Sequence, residues 1–123
     1  STLHTLGAAN TIDRIIDVFP PNQQRQIAVQ LSSVLRAVVS QQLVPDVNET
    51  LIPAFEIMKT TPAIKNMIRE NKVHQIDGLI YSSAGGDMIS MDASLQRLVK
   101  EGRISRHEAL GHASNPEMLG KRI

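Results

Sequence analysis

Two apolar runs separated by a short polar segment interrupt the helical periodicity near the middle of the chain. Residues 35–44 are rich in valine and leucine, a pattern that predicts a buried strand. Residues 45–49, Pro-Asp-Val-Asn-Glu, have the composition of a turn, so residues 51–58 are predicted to return as the second strand of a hairpin. Pro53 favours an edge position or a bulge for that strand, because proline donates no ladder hydrogen bond.

Helical spacing of apolar residues covers most of the remaining sequence. Helices are predicted at 11–19, 22–35, 61–70, 72–83 and 91–101, with short ones after Ser105 and Asn115, and a turn at 84–87. Asn22 is expected to cap the second helix after Pro20 and Pro21 end the first. We therefore predict an α+β fold, mainly helical with a small sheet or hairpin. It forms one domain, 1–123, with a sheet-containing part at 1–60 and a helical part at 61–123.

The helix predicted at 61–70 has a well-marked start and two distinct faces. Thr61 is expected to cap it, and Pro62 suits the first helical position, where no backbone donor is needed. The apolar face is predicted to hold Ala63, Ile64, Met67 and Ile68, and the polar face Lys65, Asn66, Arg69 and Glu70. The polar side is either a solvated surface or a contact face for a partner.

This helix also carries a resemblance to a known family. Residues 63–70 are similar to the Ala-Ile-Arg-Asn-Leu-Ile-Arg-Glu motif of the PilT-type ATPases, which retract type IV pili in twitching motility. Met67 keeps an apolar side chain where the motif has leucine. Lys65 keeps the charge of the motif's arginine but not its planar, bidentate fork. In that family the motif is needed for retraction rather than for nucleotide hydrolysis.

The resemblance continues in order along nearly the whole chain. Residues 1–5, Ser-Thr-Leu-His-Thr, match the His box of secretion and pilus ATPases, a segment that closes a core strand in those enzymes. Further similar segments are 8–20, 35–43, 91–95, 104–110 and 115–117. By resemblance, His4 would lie near the terminal phosphate of a nucleotide and sense it, with Thr5 as a weaker neighbour.

The resemblance implies a fold, an activity and partners. The fold would be the C-terminal portion of a RecA-like P-loop ATPase domain. The intact parent would be a homo-hexameric motor that uses ATP and Mg and couples hydrolysis to pilus disassembly. Residues 63–70 would face a neighbouring subunit or the pilus platform. The motor would be cytoplasmic, at the inner face of the membrane at the pilus base, with only peripheral membrane association.

Nucleotide hydrolysis needs a phosphate cradle, a metal and a positioned water. The sequence has no phosphate loop, acidic magnesium strand or catalytic glutamate of that family, which would lie upstream of the His box. Gly120-Lys121 is no substitute, because Arg122 stands where a serine or threonine would hold magnesium. We therefore expect that this chain alone neither hydrolyses ATP nor binds it at micromolar strength, and that it needs no cofactor.

Other site classes are disfavoured by spacing and composition. His107 and His112 are five residues apart, so on a helix they diverge by about 140° and no metal site is expected. A net charge of +1 and 2% aromatic residues argue against nucleic-acid binding. The absence of cysteine excludes disulfides and fits a reducing cytoplasm. No apolar run approaches the length of a membrane span.

Two alternative functions stay open. One is a stand-alone helical adaptor or interaction domain without nucleotide. The other is part of a pilus-extension or secretion ATPase of the same superfamily. The absence of cysteine favours the retraction branch over type II secretion ATPases, which carry a four-cysteine zinc insertion in this region. A phosphate loop encoded upstream of Ser1 would distinguish the motor from the adaptor.

Overall fold

The computed structural model describes residues 2–83 and 87–123. Its elements are α1 (Ala8–Asp17), α2 (Pro21–Val34), β1 (Ala37–Pro45), β2 (Leu51–Lys59), α3 (Pro62–Arg69), α4 (Ile76–Ser82), α5 (Met91–Lys100), α6 (Arg106–His112) and α7 (Pro116–Gly120). A 3-10 turn, Val73–Gln75, leads into α4. The prediction of a mainly helical α+β fold with a small hairpin is confirmed. Of the turn predicted at 84–87, only Asp87 lies within the described residues.

The hairpin is regular along its whole length. β1 and β2 pair antiparallel without interruption, from Ala37 opposite Lys59 to Pro45 opposite Leu51. Pro53 lies opposite Leu43 in continuous register, so it occupies an edge strand and not a bulge. The bridge between Ile57 and Ile89 extends the pairing, with backbone N–H to O distances of 2.9 and 3.1 Å.

The predicted burial of the first strand is wrong. Val39 and Leu43 on β1 are 62% and 52% exposed, whereas Ser40 and Val44 are buried. One face of the hairpin is therefore open in the described part of the chain, and the other packs on the core. A continuous apolar run does not distinguish a strand buried on both faces from one with an open apolar face, so the sequence pattern misled.

Two apolar clusters hold the fold together, and both include residues from the hairpin. The first cluster joins α1, α3 and α4, and its buried residues are Ala8, Ala9, Ile12, Met58, Ile64, Ile68, Val73, Ile76 and Ile80. The second joins the hairpin to α5, α6 and α7, and its buried residues are Val44, Ile52, Ala54, Met91, Leu95, Leu98, Ile104, Ala109 and Leu119. The hairpin thus connects two otherwise helical units.

Side-chain caps start three of the later helices. The Ser90 and Ser105 hydroxyls and the Asn115 side-chain oxygen each accept a backbone N–H from the residue three positions later. The predicted cap at Asn22 is wrong, because α2 begins one residue earlier at Pro21. Proline suits the first helical position, where its missing N–H costs no hydrogen bond.

Among the residues that the structure describes, none of the helices has both the length and the hydropathy that crossing a bilayer requires.

Candidate functional site

Helix α3 begins at the residues that its sequence signals specify, and a turn at Asn71 ends it. The Thr61 hydroxyl accepts the Ile64 N–H at 3.4 Å, and Pro62 occupies the first turn, as predicted. At the other end, Asn71 adopts the left-handed conformation with φ of 60°. Its N–H reaches the Ile68 carbonyl at 3.4 Å, and the Lys72 N–H reaches Met67 at 2.7 Å, which is a Schellman arrangement. Both ends of this short helix are therefore fixed.

The apolar face of α3 is buried, although it is narrower than predicted. Ile64 and Ile68 have no solvent exposure, and their mean direction defines the centre of the buried face. Met67 and Lys65 each lie about 80° from that centre at 100° per residue, and both are half-buried. Ala63 lies about 120° away and is exposed, so its placement on the apolar face is wrong.

The polar face of α3 is open to solvent. Asn66, Arg69 and Glu70 are exposed, as the helical spacing predicted. The Arg69 guanidinium donates to the Asn66 side-chain oxygen, and the Glu70 carboxylate lies 3.6 Å from the Lys72 ammonium. The arginine is therefore held along the helix by a neutral amide, which leaves its charge available to a partner.

The second predicted site, the His box, lies before α1. Residues 2–5 form neither helix nor strand, so they do not form the core strand that the resemblance implies at this box. The Thr11 hydroxyl donates to the Gly7 carbonyl at 2.8 Å, so the Thr5 hydroxyl donates to Thr11 at 2.6 Å. His4 is exposed, and none of the described hydrogen bonds involves its ring. Thr5 thus anchors the segment and leaves the imidazole accessible.

The structure keeps these two predicted sites apart. Within residues 2–83 and 87–123, none of the hydrogen bonds or ion pairs joins His4 or Thr5 to residues 63–70. The first apolar cluster connects them indirectly, because Ile12 of α1 and Ile64 of α3 both belong to it.

A buried carboxylate that the sequence analysis did not single out joins two helices. Glu56 on β2 is 5% exposed, and its two oxygens accept the first backbone N–H groups of α1 and α5. The distances are 2.9 Å from Ala8 N to Oε1 and 3.2 Å from Met91 N to Oε2. A carboxylate suits both helix N-termini, because unpaired N–H groups and the helix dipole favour negative charge there. Glu56 therefore fixes α1, which follows the His box, relative to α5.

Strand periodicity contains the signal that would have identified Glu56. Successive side chains of a strand alternate between faces, and Ile52, Ala54 and Met58 all turn inward on β2. Glu56 has the same parity, so the alternation places a carboxylate among core residues. A buried carboxylate requires hydrogen-bond donors, and the helix N-termini supply them.

Two further carboxylates, Asp92 and Asp77, line a cavity together with Glu56. The Asp92 carboxylate is buried and accepts the Ser114 and Asn115 N–H groups at 2.7 and 2.9 Å, which fixes the start of α7. Burial raises the pKa of Glu56 above its ordinary value, its two backbone donors oppose that shift, and the charges of Asp77 and Asp92 reinforce it. Burial also raises the pKa of Asp77, with a further contribution from Asp92.

The cavity beside these carboxylates has a volume of about 290 Å³. Its lining includes the apolar side chains of Tyr81, Met91 and Leu119, and the Arg122 guanidinium lies 4.7 Å from the centre of the Tyr81 ring. Within the described residues, no group of three or more histidine, aspartate or glutamate side chains is arranged to hold a metal ion. The arrangement of Glu56 and Asp92 is accounted for by the helix starts that they stabilise.

Comparisons with known proteins support the resemblance seen in the sequence. No family model matches the chain. The chain is 42% identical over 120 residues to a twitching motility protein of Neisseria gonorrhoeae. It is 43% identical over 116 residues to the type IV pilus retraction ATPase PilT of Pseudomonas aeruginosa. These matches cover 96% and 94% of this chain but only 32% and 34% of the relatives, so the chain spans about a third of their length.

A solved structure gives the same result for the fold. The crystal structure of the pilus retraction motor PilT with bound ADP matches with a TM-score of 0.84 and 36% identity. The match covers 97% of this chain and 33% of that one. Sequence and fold together define the chain as similar to a portion of a P-loop ATPase. Within that class the chain is similar to PilT-type retraction ATPases, which confirms the resemblance.

Proposed function

We propose that this chain is the C-terminal portion of a hexameric motor that couples ATP hydrolysis to pilus disassembly. The observation that carries the proposal is the similarity to PilT-type proteins over nearly the whole chain at 42–43% identity. The intact parent would bind ATP and Mg through residues outside this chain. It would act at the inner face of the membrane, with the pilus machinery as its partner.

Within that motor, the polar face of α3 is the contact surface for a neighbouring subunit or the pilus platform. Its geometry supports this role, because Ile64 and Ile68 are sealed in the core while Asn66, Arg69 and Glu70 remain in solvent. A rigidly anchored helix transmits a displacement to whatever contacts its outer face. Lys65 lies at the border between the two faces and is half-buried, a position in which a lysine can bury its aliphatic stem while its ammonium stays in water.

Replacing Lys65 by alanine in the intact motor is expected to abolish retraction while ATP hydrolysis continues. The change removes one charge from the contact face and leaves the nucleotide site untouched. Steady-state hydrolysis of the purified motor and twitching of the cells that carry it are the two measurements. Lys65→Arg should restore twitching, because arginine keeps the charge, and Lys100→Ala on α5 is the matched control.

A parallel loss of hydrolysis in Lys65→Ala would contradict a role limited to force transmission. Unchanged twitching would contradict the contact role altogether. Circular dichroism of each variant tests whether it folds. Lys100→Ala removes the same atoms from an exposed position elsewhere, so it controls for the loss of a lysine side chain as such.

His4 is the proposed phosphate sensor of the intact motor, and its exposure before α1 leaves it free to meet a nucleotide held by the rest of the parent. Replacing His4 by alanine should lower the hydrolysis rate about 100-fold, the usual effect of removing one donor to a reacting phosphate or oxyanion. Nucleotide affinity should change far less. His107→Ala, an exposed histidine on α6, is the control, and equal rates in the two variants would exclude the sensing role.

A further inference from the structure

A second surface feature adjoins the polar face of α3. A cleft of about 690 Å³ lies between α2 and the end of α3. Its lining includes Ile16, Ala28, Val29, Arg25, Arg69 and Glu70. Three of these side chains are aliphatic, and two carry guanidinium groups from different helices. The cleft therefore combines an apolar surface with two cations that the fold, and not local sequence, brings together.

The cleft carries excess positive charge. Neither Arg25 nor Arg69 has a carboxylate oxygen within ion-pair distance among the residues that the structure describes. Arg69 instead donates to the neutral amide of Asn66. Glu70 is the one carboxylate in the lining, and the Lys72 ammonium lies 3.6 Å from it. The lining therefore has two guanidinium groups and one carboxylate, and that carboxylate also lies next to a lysine outside the cleft.

We propose that this cleft binds an acidic protein segment in which an aliphatic side chain lies between carboxylates. The inference rests on the proposed function, in which α3 contacts a partner, and it specifies the chemistry of that partner. Guanidinium groups bind carboxylates through paired, charge-assisted hydrogen bonds. Val29 is 41% exposed beside them, so an aliphatic anchor on the partner would cover apolar surface that is otherwise open to water.

The position of the cleft supports a partner surface over a small-molecule site. Arg69 belongs to the family-like motif at 63–70, and the Schellman turn at Asn71 forms the adjacent wall. Arg25 lies on α2, which packs against α3, so a segment bound there would contact both helices at once. Displacing the segment would then pull on α2 and α3 together.

Fluorescence anisotropy of a labelled peptide tests the proposal. The probe is Glu-Glu-Leu-Glu-Glu-Leu-Glu-amide with tetramethylrhodamine on its N-terminal amine, titrated with the 123-residue chain at low salt, and its glutamine analogue with the same label is the control without carboxylates. The acidic peptide should bind and the glutamine analogue should not. Arg25→Glu and Arg69→Glu should each weaken binding about tenfold or more, because each turns an attraction into a repulsion. Raising the salt concentration should weaken binding of the acidic peptide.

The matched control is Arg103→Glu, which reverses the charge of an exposed arginine outside the cleft. Its effect should stay within about twofold, since it removes only long-range attraction that salt screens. Equal effects of all three substitutions, or no saturable binding of the acidic peptide, would overturn the proposal. Unfolding curves of each variant exclude loss of structure as the cause.

Two other anionic occupants are distinguished in the same assay. Phosphatidylglycerol vesicles and inorganic phosphate are added as competitors for the labelled peptide. If vesicles or phosphate displace the labelled peptide at a lower anion concentration than the unlabelled peptide does, the proposed acidic segment is wrong. The ligand of the cleft would then be a lipid surface or a phosphate. If the acidic peptide does not bind, the expected loss of retraction in Lys65→Ala still stands, because that test does not depend on the cleft. Conversely, normal twitching of Lys65→Ala cells would contradict the proposed function, whereas binding of the peptide at Arg25 and Arg69 would still be measurable.

Discussion

Replacing Glu56 by alanine is expected to lower the free energy of unfolding by about 2 to 6 kcal/mol. The change leaves two backbone donors, Ala8 N–H and Met91 N–H, without their acceptor, and each buried donor left unsatisfied costs about 1 to 3 kcal/mol. Urea unfolding of the 123-residue chain measures the effect. Asp87→Ala, which removes an exposed carboxylate, is the control and should change stability by less than about 0.5 kcal/mol. Equal stability of the two variants would contradict the role assigned to Glu56.

The glutamine variant tests the charge of the same group. Burial raises the pKa of Glu56 in the folded state above its ordinary value of 4.5. At a pH between the unfolded pKa and the folded pKa, the folded chain therefore binds more protons than the unfolded chain. The contribution of Glu56 to stability therefore falls as pH rises from about 4.5 through the folded pKa. Glu56→Gln should remove this loss of stability with rising pH, because glutamine does not titrate. Unlike alanine, glutamine also keeps one side-chain oxygen, which can accept the N–H of one of the two helices. A difference between wild type and Glu56→Gln that does not vary with pH would exclude the raised pKa.

Replacing Ile68 by alanine should destabilise the chain by about 2 to 5 kcal/mol, the range for an isoleucine truncated in a packed core. Ile68 has no solvent exposure and belongs to the first apolar cluster, so its removal leaves a cavity beneath α3. Urea unfolding is again the measurement. Val34→Ala is the matched control, because Val34 is a 69% exposed aliphatic residue on α2 and its truncation should cost less than about 0.5 kcal/mol. A loss below about 1 kcal/mol in Ile68→Ala would mean that α3 is not anchored by this face.

Local signals in the sequence predicted much of the helical structure. Thr61 and Pro62 specify the start of α3, because a threonine cap and a proline in the first turn satisfy the needs of a helix N-terminus without tertiary contacts. The placement of Ile64 and Ile68 follows from the helical period in the same way. Ala63 was misplaced because it lies about 120° from the centre of the buried face, beyond the border at which Met67 and Lys65 lie.

The long-range contacts could not be predicted in the same way. Asp92 accepts backbone donors from Ser114 and Asn115, more than twenty positions later, and no local pattern indicates that pairing. The open face of β1 depends on which element covers the hairpin, and an apolar run contains no information on that. The cleft beside Arg25 and Arg69 likewise requires α2 to pack on α3, which periodicity alone does not establish.

The position of Glu56 between the two apolar clusters has a consequence for how the chain melts. Its carboxylate accepts a hydrogen bond from α1 of the first cluster and another from α5 of the second. If either helix unfolds, the buried carboxylate loses one of its two backbone donors. Unfolding of one cluster therefore lowers the stability of the other. We therefore expect the two clusters to melt together in one cooperative transition, with little accumulation of forms in which only one cluster is intact.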